Sequence, residues 1–389
     1  QKINELSRTF NKNKDIYITF IMPKVRIYCR QNDILSPVLV IILFALLNIL
    51  NFKQINSSYL CFLIYSESPH FYKERKEEIM SLSEFKIPTS TSILSMKPIV
   101  LPASYRGIDI QLKVSFPNKG HHLPIILLAH GFGSSMEGYG PLADFYASHG
   151  FIVIQPTFLD SRTINLDKDD KRQSELWRYR VQDMKNIIDH LDQITIEIPT
   201  LHQRIDKDNI AVVGHSFGGQ TAGNLLGLQV FDPLTNSYTD YLDSRVKGGV
   251  LLATAGEGGD KLTQFAKDNF PFLNPTFKHM SKPALIIAGD KDDSPLTQLG
   301  PEWMEEPYYL SPGKKSLLKL YDAEHSLGGI AGYEVKETTD ENPERVSLVQ
   351  YVTWAYLRSL LDIEHDSWNH AQSVLDDKNA MGIIQSKMH

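Results

Sequence analysis

The sequence predicts an α/β fold: a mostly parallel central sheet with helices on both faces. Three observations carry that expectation. First, Ile125–Ala129, Ile210–Val213, Val250–Ala253, Ala284–Ala288 and Leu317–Tyr321 are short runs, apolar almost throughout, the signature of strands buried on both faces. Second, these runs alternate with stretches of helical periodicity, the pattern that gives parallel strands with crossover helices. Third, the run at 210–213 flows into Gly214-His215-Ser216-Phe217-Gly218 and then into small residues, so a G-x-S-x-G pattern stands between a strand and a helix.

Taken in order, Val100–Leu101 and Ile108–Phe116 read as early strands, the second with period-2 alternation. The strand at 125–129 ends in His130-Gly131-Phe132-Gly133-Ser134-Ser135. Pro141–His149 reads as a short amphipathic helix and Phe151–Gln155 as a strand. Glu175–Ile194 carries Leu176, Val181, Met184, Ile187, Ile188 and Leu191 at helical spacing, which predicts one helix packed on the sheet. Val346–Leu361 closes the region as a helix with Tyr351, Trp354 and Tyr356 on its inner side. One catalytic domain over residues 95–365 is expected, with 366–389 as a C-terminal tail.

Residues 1–80 have a different texture and are expected to be unstructured. Residues 1–79 contain no Gly, and an apolar stretch at 34–50 follows Lys24, Arg26 and Arg30. That arrangement suits an export signal or a membrane anchor, although it is short for a span of roughly 20 residues. The competing reading is a translated upstream region with the true start at Met80. The first implies an exported or membrane-anchored protein, with membrane contact through 34–50, and the second a cytoplasmic one.

Composition narrows the chemistry. Across 389 residues, 42% hydrophobic and 22% charged content are ordinary for a globular chain, and a net charge of −6 gives no reason to expect nucleic acid as a partner. The two cysteines, Cys29 and Cys61, precede the α/β region, so a Cys nucleophile is excluded there. None of the 13 histidines stands in a zinc-binding spacing, and no metal or cofactor is expected.

The chemistry converges on Ser216. G-x-S-x-G after a buried strand puts the serine on a sharp turn, where a Cβ at 214 or 218 would collide with its neighbours. A serine hydroxyl needs a base, and the base an orienting acid. The strand at 284–288 runs into Gly289-Asp290-Lys291-Asp292-Asp293, and the strand at 317–321 into Asp322-Ala323-Glu324-His325. Loops beyond the carboxyl ends of parallel strands share one edge, so Ser216, an aspartate and His325 can meet. Asp292 is favoured as the acid because the chain should have turned back there; Asp290 continues the strand and Asp293 faces solvent. The backbone N–H groups of Phe132 and Phe217 are the expected oxyanion donors. His130 and His215 read as structural. Arg178, Arg180 and Asp183 read as a structural charge pair or a solvated face. Glu257 and Asp260 offer too few oxygens for calcium. Tyr139, Phe158, Trp303 and Tyr308 are candidates for an apolar pocket wall or for core, and residues 227–245 and 256–280 for cap and rim.

His130-Gly131-Phe132-Gly133, Gly214-His215-Ser216-Phe217-Gly218-Gly219, Ile287-Ala288-Gly289-Asp290-Lys291-Asp292 and Glu324-His325-Ser326-Leu327-Gly328-Gly329 together resemble the α/β-hydrolase superfamily. Asn269–Pro275 and Trp354–Arg358 bring the likeness closer to its bacterial chlorophyllase-like, dienelactone-hydrolase-like branch, near cutinase-type polyester hydrolases. The resemblance spans about residues 95–362 and implies a cofactor-free serine ester hydrolase acting on a small-molecule or lipid-like ester. An acyltransferase or peptidase would use the same residues, and a non-catalytic binding protein of this fold is the reading outside enzymes.

Overall fold

The computed structural model describes residues 17–21, 24–28, 87–232, 235–332, 339–376 and 381–387. The chain divides into two units, Gln1–Lys73 and Glu74–His389. In the first, strands β1 (Tyr17–Ile21) and β2 (Lys24–Tyr28) pair antiparallel. The expectation of an unstructured segment is corrected there. Both strands are rich in β-branched and aromatic residues, which suit an extended pleated backbone. The apolar stretch 34–50 and Met80 lie outside the described residues.

The second unit is organised by a nine-stranded sheet. In chain order its strands are β3 (Ile93–Leu101), β4 (Ile110–Pro117), β5 (Leu123–Ala129), β6 (Ile152–Thr157), β7 (Ile205–His215), β10 (Val246–Leu252), β12 (Ala284–Gly289), β13 (Lys315–Leu320) and β14 (Gly382–Lys387). Strands β8 (Gln229–Asp232), β9 (Ser237–Thr239) and β11 (Pro275–Thr276) form a separate small antiparallel sheet. Across the large sheet the order is β14-β13-β12-β10-β7-β5-β6-β4-β3. The six strands from β13 to β6 are mutually parallel, and β14, β4 and β3 add antiparallel pairs at the two edges.

Alternation along the central strands explains the two-layered cover. Ile125, Leu127 and Ala129 of β5 and Val212 of β7 join one apolar cluster, whereas Ile126, Leu128, Ala211 and Val213 join another. The first cluster takes in helix α2 (Leu176–Asp189), through Leu176, Val181, Met184 and Ile187, and helix α4 (Phe217–Leu225). The second takes in helices α1 (Gly140–Ser148), α7 (Pro343–Leu360) and α8 (Ser367–Leu375). Each strand is therefore apolar on both faces because each face meets helices.

Three expectations are revised. The helix expected over 175–194 is broken at His190 into α2 and α3 (Leu191–Ile196), and the His190 imidazole sits 2.8 Å from the Asn186 carbonyl it helps to cap. Residues beyond 365 are not a tail: α8 packs under the sheet and β14 pairs with β13 as its edge strand. The 227–245 segment contributes β8 and β9 to the small sheet. Between β10 and β12 lies the short helix α5 (Gln264–Asn269), and between β12 and β13 the short helix α6 (Glu306–Tyr309).

Candidate active site

Strand β7 delivers Ser216 into a backbone conformation with φ 56° and ψ −122°, which side chains with a Cβ rarely adopt. The Ser216 N–H donates to the Leu252 carbonyl at 2.9 Å, tying the turn to β10. Glycine is required on both sides. A Cβ on Gly214 would lie 2.0 Å from the Gly218 oxygen, and one on Gly218 would lie 2.1 Å from the Ala129 oxygen. Residues 214–218 can therefore turn only this tightly between β5 and α4.

The loops after β12 and β13 meet beside this strand–turn–helix elbow at Ser216. The Asp292 N–H reaches back to the Gly289 carbonyl at 3.4 Å, and the Lys291 N–H donates to the Ala323 carbonyl at 2.9 Å. That turn aims Asp292 inward, its side chain 2% exposed, while Asp293 points to solvent. His325 Nδ1 lies 2.9 and 3.1 Å from the two Asp292 carboxylate oxygens. An ionised carboxylate only accepts, so Nδ1 carries the proton and Nε2 is left as the basic nitrogen. Asp290 instead stays at the strand end, its N–H bonded to the Leu320 carbonyl.

His215 joins the two halves. Its Nε2–H donates to the His325 carbonyl at 2.7 Å, so its Nδ1 accepts from the Tyr139 hydroxyl at 2.7 Å. The Tyr139 oxygen in turn accepts the Gly131 N–H at 3.0 Å. One chain of hydrogen bonds thus runs from the loop after β5, through the residue preceding Ser216, to the backbone of His325. Burial, reinforced by the nearby His325 ring, lowers the His215 pKa to about 3, so the ring is neutral and its tautomer fixed. His215 is structural, as expected, but its structure is the site's own.

The loop after β5, which carries the expected oxyanion donor Phe132, is held by hydrogen bonds of its own. The amides flanking Phe132 are used, Gly131 by Tyr139 and Gly133 by the Asp160 carboxylate at 3.0 Å. Among the described residues none accepts the Phe132 N–H. Phe217 opens α4, where the first amides have no partner within the helix. His130 accepts the Phe158 N–H on Nε2 at 3.1 Å and donates from Nδ1 to the Gly131 carbonyl at 2.7 Å, holding its own loop.

Beneath this loop lies a feature not legible beforehand. Arg180 is fully buried; its Nε pairs with Asp160 at 2.8 Å, Nη2 donates to the His130 carbonyl at 2.7 Å, and Nη1 to Thr221 Oγ1 at 3.2 Å. Its guanidinium is sandwiched between the rings of Phe158 and Phe217, 4.2 and 4.4 Å from their centroids. Burial alone would raise the Asp160 carboxyl, but Arg180, His130 and the Gly133 N–H hold it below the usual range. The expected pairing among Arg178, Arg180 and Asp183 is corrected. Asp183 pairs with buried Arg106 at 2.5 Å, and Arg178 with Glu175 and Asp232. One signal was present: Arg180 and Asp183 fall within the apolar stripe of α2, where a charge must find a buried partner.

Of the two readings open for four aromatic residues, pocket wall or core, the second holds. Tyr139, Phe158, Trp303 and Tyr308 are all core residues. An open cleft of about 220 Å³ that shares Phe132 with the site is lined by Leu176, Phe270 and Phe272 with Gln173, Ser174, Asp268, Asn269 and Pro271. Phe217 stacks on Phe272 at 5.0 Å, and Phe132 meets Phe270 edge-on at 5.8 Å. Of the two expected cap and rim segments, 256–280 contributes Asp268 to Phe272 to this lining and 227–245 contributes nothing to it. Glu257 is engaged with Lys261, and its N–H with Glu306.

Comparison with known proteins agrees with this architecture. The profile of the chlorophyllase family matches residues 95–236, from β3 through the elbow helix. The chain carries the α/β-hydrolase fold. Cutinase 1 of Thermobifida cellulosilytica is 27% identical over 180 residues, covering 45% of this chain and 63% of the cutinase. The platelet-activating factor acetylhydrolase of Cavia porcellus is 24% identical over 161 residues, covering 31% of this chain and 36% of that enzyme. The cutinase of Thermobifida fusca is 27% identical over 45% of this chain and 54% of its own length. The chain thus spans between about a third and two thirds of these relatives. The family match includes Phe132, Ser216 and Phe217 but ends before Asp292 and His325, whose grouping rests on geometry.

Proposed function

We propose that this protein is a serine hydrolase of carboxylic esters, working through an acyl-enzyme. The observation that carries the reading is the His325–Asp292 pair, 2.9 Å apart, hung from the residue that precedes a strained serine. Ser216 Oγ attacks the ester carbonyl as His325 Nε2 takes its proton. Asp292 holds the ring in the Nδ1–H tautomer and stabilises the imidazolium. The oxygen of the tetrahedral intermediate is received by the Phe132 and Phe217 N–H groups, at the positive end of α4. His325 returns the proton to the leaving alcohol, then activates water to release the acid and regenerate Ser216.

The cleft beside Phe132 suits one apolar arm of the ester. At about 220 Å³ it is smaller than the roughly 300–1,000 Å³ of sites that enclose whole drug-sized ligands. Hydrolysis is favoured over acyl transfer to a bound alcohol or amine because the His325 side chain is 44% exposed, leaving water an open approach. The relatives named for cutin and for platelet-activating factor are ester hydrolases, in keeping with this choice. Turnover of p-nitrophenyl esters tests the proposal. Ser216→Ala should lower kcat by at least about 10³-fold while the protein stays folded. Undiminished turnover would end the reading.

A further inference from the structure

The loop that carries His325 is not self-supporting. Between the end of β13 and the start of α7, Asp322, Leu327, Gly328 and Gly329 have φ values of 52°, 49°, 87° and 108°. Two of these are residues with side chains in the left-handed region, which persists only where surroundings over-determine it. Within the loop, the Leu327 N–H donates to the Glu324 carbonyl, and those of Gly329 and Ile330 to the Ser326 carbonyl. The Glu324 and Gly328 amides point outward instead. Both donate to a single atom, Asp340 Oδ2, at 2.8 and 3.0 Å.

Asp340 is suited to that task. Its side chain is 3% exposed, so its bonds to the loop are shielded from water. Arg345, on the first turn of α7, stands 3.6 Å from Oδ2, donates to the Asp340 carbonyl at 3.0 Å and to the Tyr321 carbonyl at 3.1 Å. The Asn342 N–H adds a bond to the Gly328 carbonyl at 3.0 Å. The N-terminal end of α7 therefore grips the loop at residues 321, 324 and 328, on both sides of His325. His215 holds the His325 carbonyl from the opposite direction.

We propose that Asp340 is a positioning residue: by receiving the amides on either side of His325 it fixes the backbone from which the imidazole reaches Asp292. This rests on the esterase reading for its kinetic consequences, though not for its geometric one. An oxygen acceptor at this point is what the loop requires, so the ranking of variants follows. Asp340→Asn keeps an acceptor and loses the charge that Arg345 faces. Asp340→Ala leaves two amides without a partner and a guanidinium without a counter-charge.

The test compares the two variants with wild type in kcat and KM for p-nitrophenyl acetate, and in the low-field proton NMR signal of His325 Nδ1–H, assigned with His325→Ala. Expected are a loss of about 100-fold in kcat for Asp340→Ala and about 3–10-fold for Asp340→Asn, with KM within twofold. The Nδ1–H signal should exchange with solvent markedly faster in Asp340→Ala and retain intermediate protection in Asp340→Asn. If Asp340→Ala does not fold, Asp340→Asn decides alone: wild-type kcat and wild-type Nδ1–H exchange would overturn the proposal. Asn performing no better than a folded Ala variant would also overturn it, because the acceptor oxygen would then be irrelevant. A wild-type protein without esterase activity would sink the functional reading instead, and the NMR comparison would still judge Asp340.

Discussion

Replacing Arg180 with Met probes how the oxyanion loop is held. The change keeps an apolar stem of similar reach between Phe158 and Phe217 but removes the guanidinium that bonds Asp160, His130 and Thr221. Asp160, its side chain 1% exposed, is then a buried carboxylate that keeps the Gly133 N–H and the nearby His130 but has lost its counter-charge. Removing one member of a buried ion pair costs about 3–5 kcal/mol. Against a domain stability of about 5–15 kcal/mol, the variant should fold at 25 °C with much of its margin gone. Asp160→Asn keeps an acceptor for Gly133 and removes the charge. The double variant should therefore be no less stable than Arg180→Met alone, a coupling of about 2–3 kcal/mol in the cycle. Urea unfolding followed by tryptophan fluorescence measures this. Because Arg180 also seats the His130 carbonyl and the Phe217 ring, ester turnover should fall about 10–100-fold from small displacements of the oxyanion donors. An Arg180→Met protein within about 1 kcal/mol of wild type, with unchanged turnover, would refute the clamp.

Three further outcomes follow from the same geometry. Asp292→Asn should lower kcat by about 10³–10⁴-fold with little change in KM, because an amide no longer enforces the His325 Nδ1–H tautomer; steady-state kinetics on a p-nitrophenyl ester decides it. Phe270→Ala should lower kcat/KM for esters with a bulky apolar arm about 10-fold and affect acetate esters less, since the ring lines the cleft and its own side chain makes no hydrogen bond. His215 sets a pH dependence of stability. Its folded pKa of about 3 lies below the ordinary value near 6.5, so its contribution is complete above pH 6.5 and is lost as the pH falls toward 3, where the unfolded chain binds a proton the fold refuses. The slope reaches about 1.4 kcal/mol per pH unit, and His215→Gln should remove one proton's worth of it in chemical unfolding at pH 4–6. An unchanged slope would show that His215 is already charged in the fold.

The legible parts of this protein were those where one physical demand acts on consecutive residues. A parallel strand covered on both faces is apolar along its buried length, so the central runs of β5, β7, β10, β12 and β13 could be read from their unbroken or nearly unbroken apolar residues. The elbow is as legible, since close backbone approach at 214 and 218 admits glycine only. Asp292 was separable from Asp290 and Asp293 because a short turn after Gly289 leaves one of the three facing inward. Partnerships between distant residues were not legible. Nothing local to Arg180 names Asp160, nor does anything near Asp340 point to the amides of 324 and 328, because proximity there is set by how helices cross the sheet. Edge elements were also missed: β14, Gly-Ile-Ile-Gln-Ser-Lys, is half exposed and lacks the continuous apolar run of a central strand. Residue His190, polar and within a helical period, hid the break between α2 and α3.

The central claim is that Ser216 is a nucleophile activated by His325. Its most direct test is covalent labelling with a fluorophosphonate, followed by peptide mass spectrometry. A single adduct on the peptide containing Ser216, formed far more slowly in His325→Ala and absent in Ser216→Ala, is the result expected. Labelling at a different residue, or none in the folded wild-type protein, would contradict it.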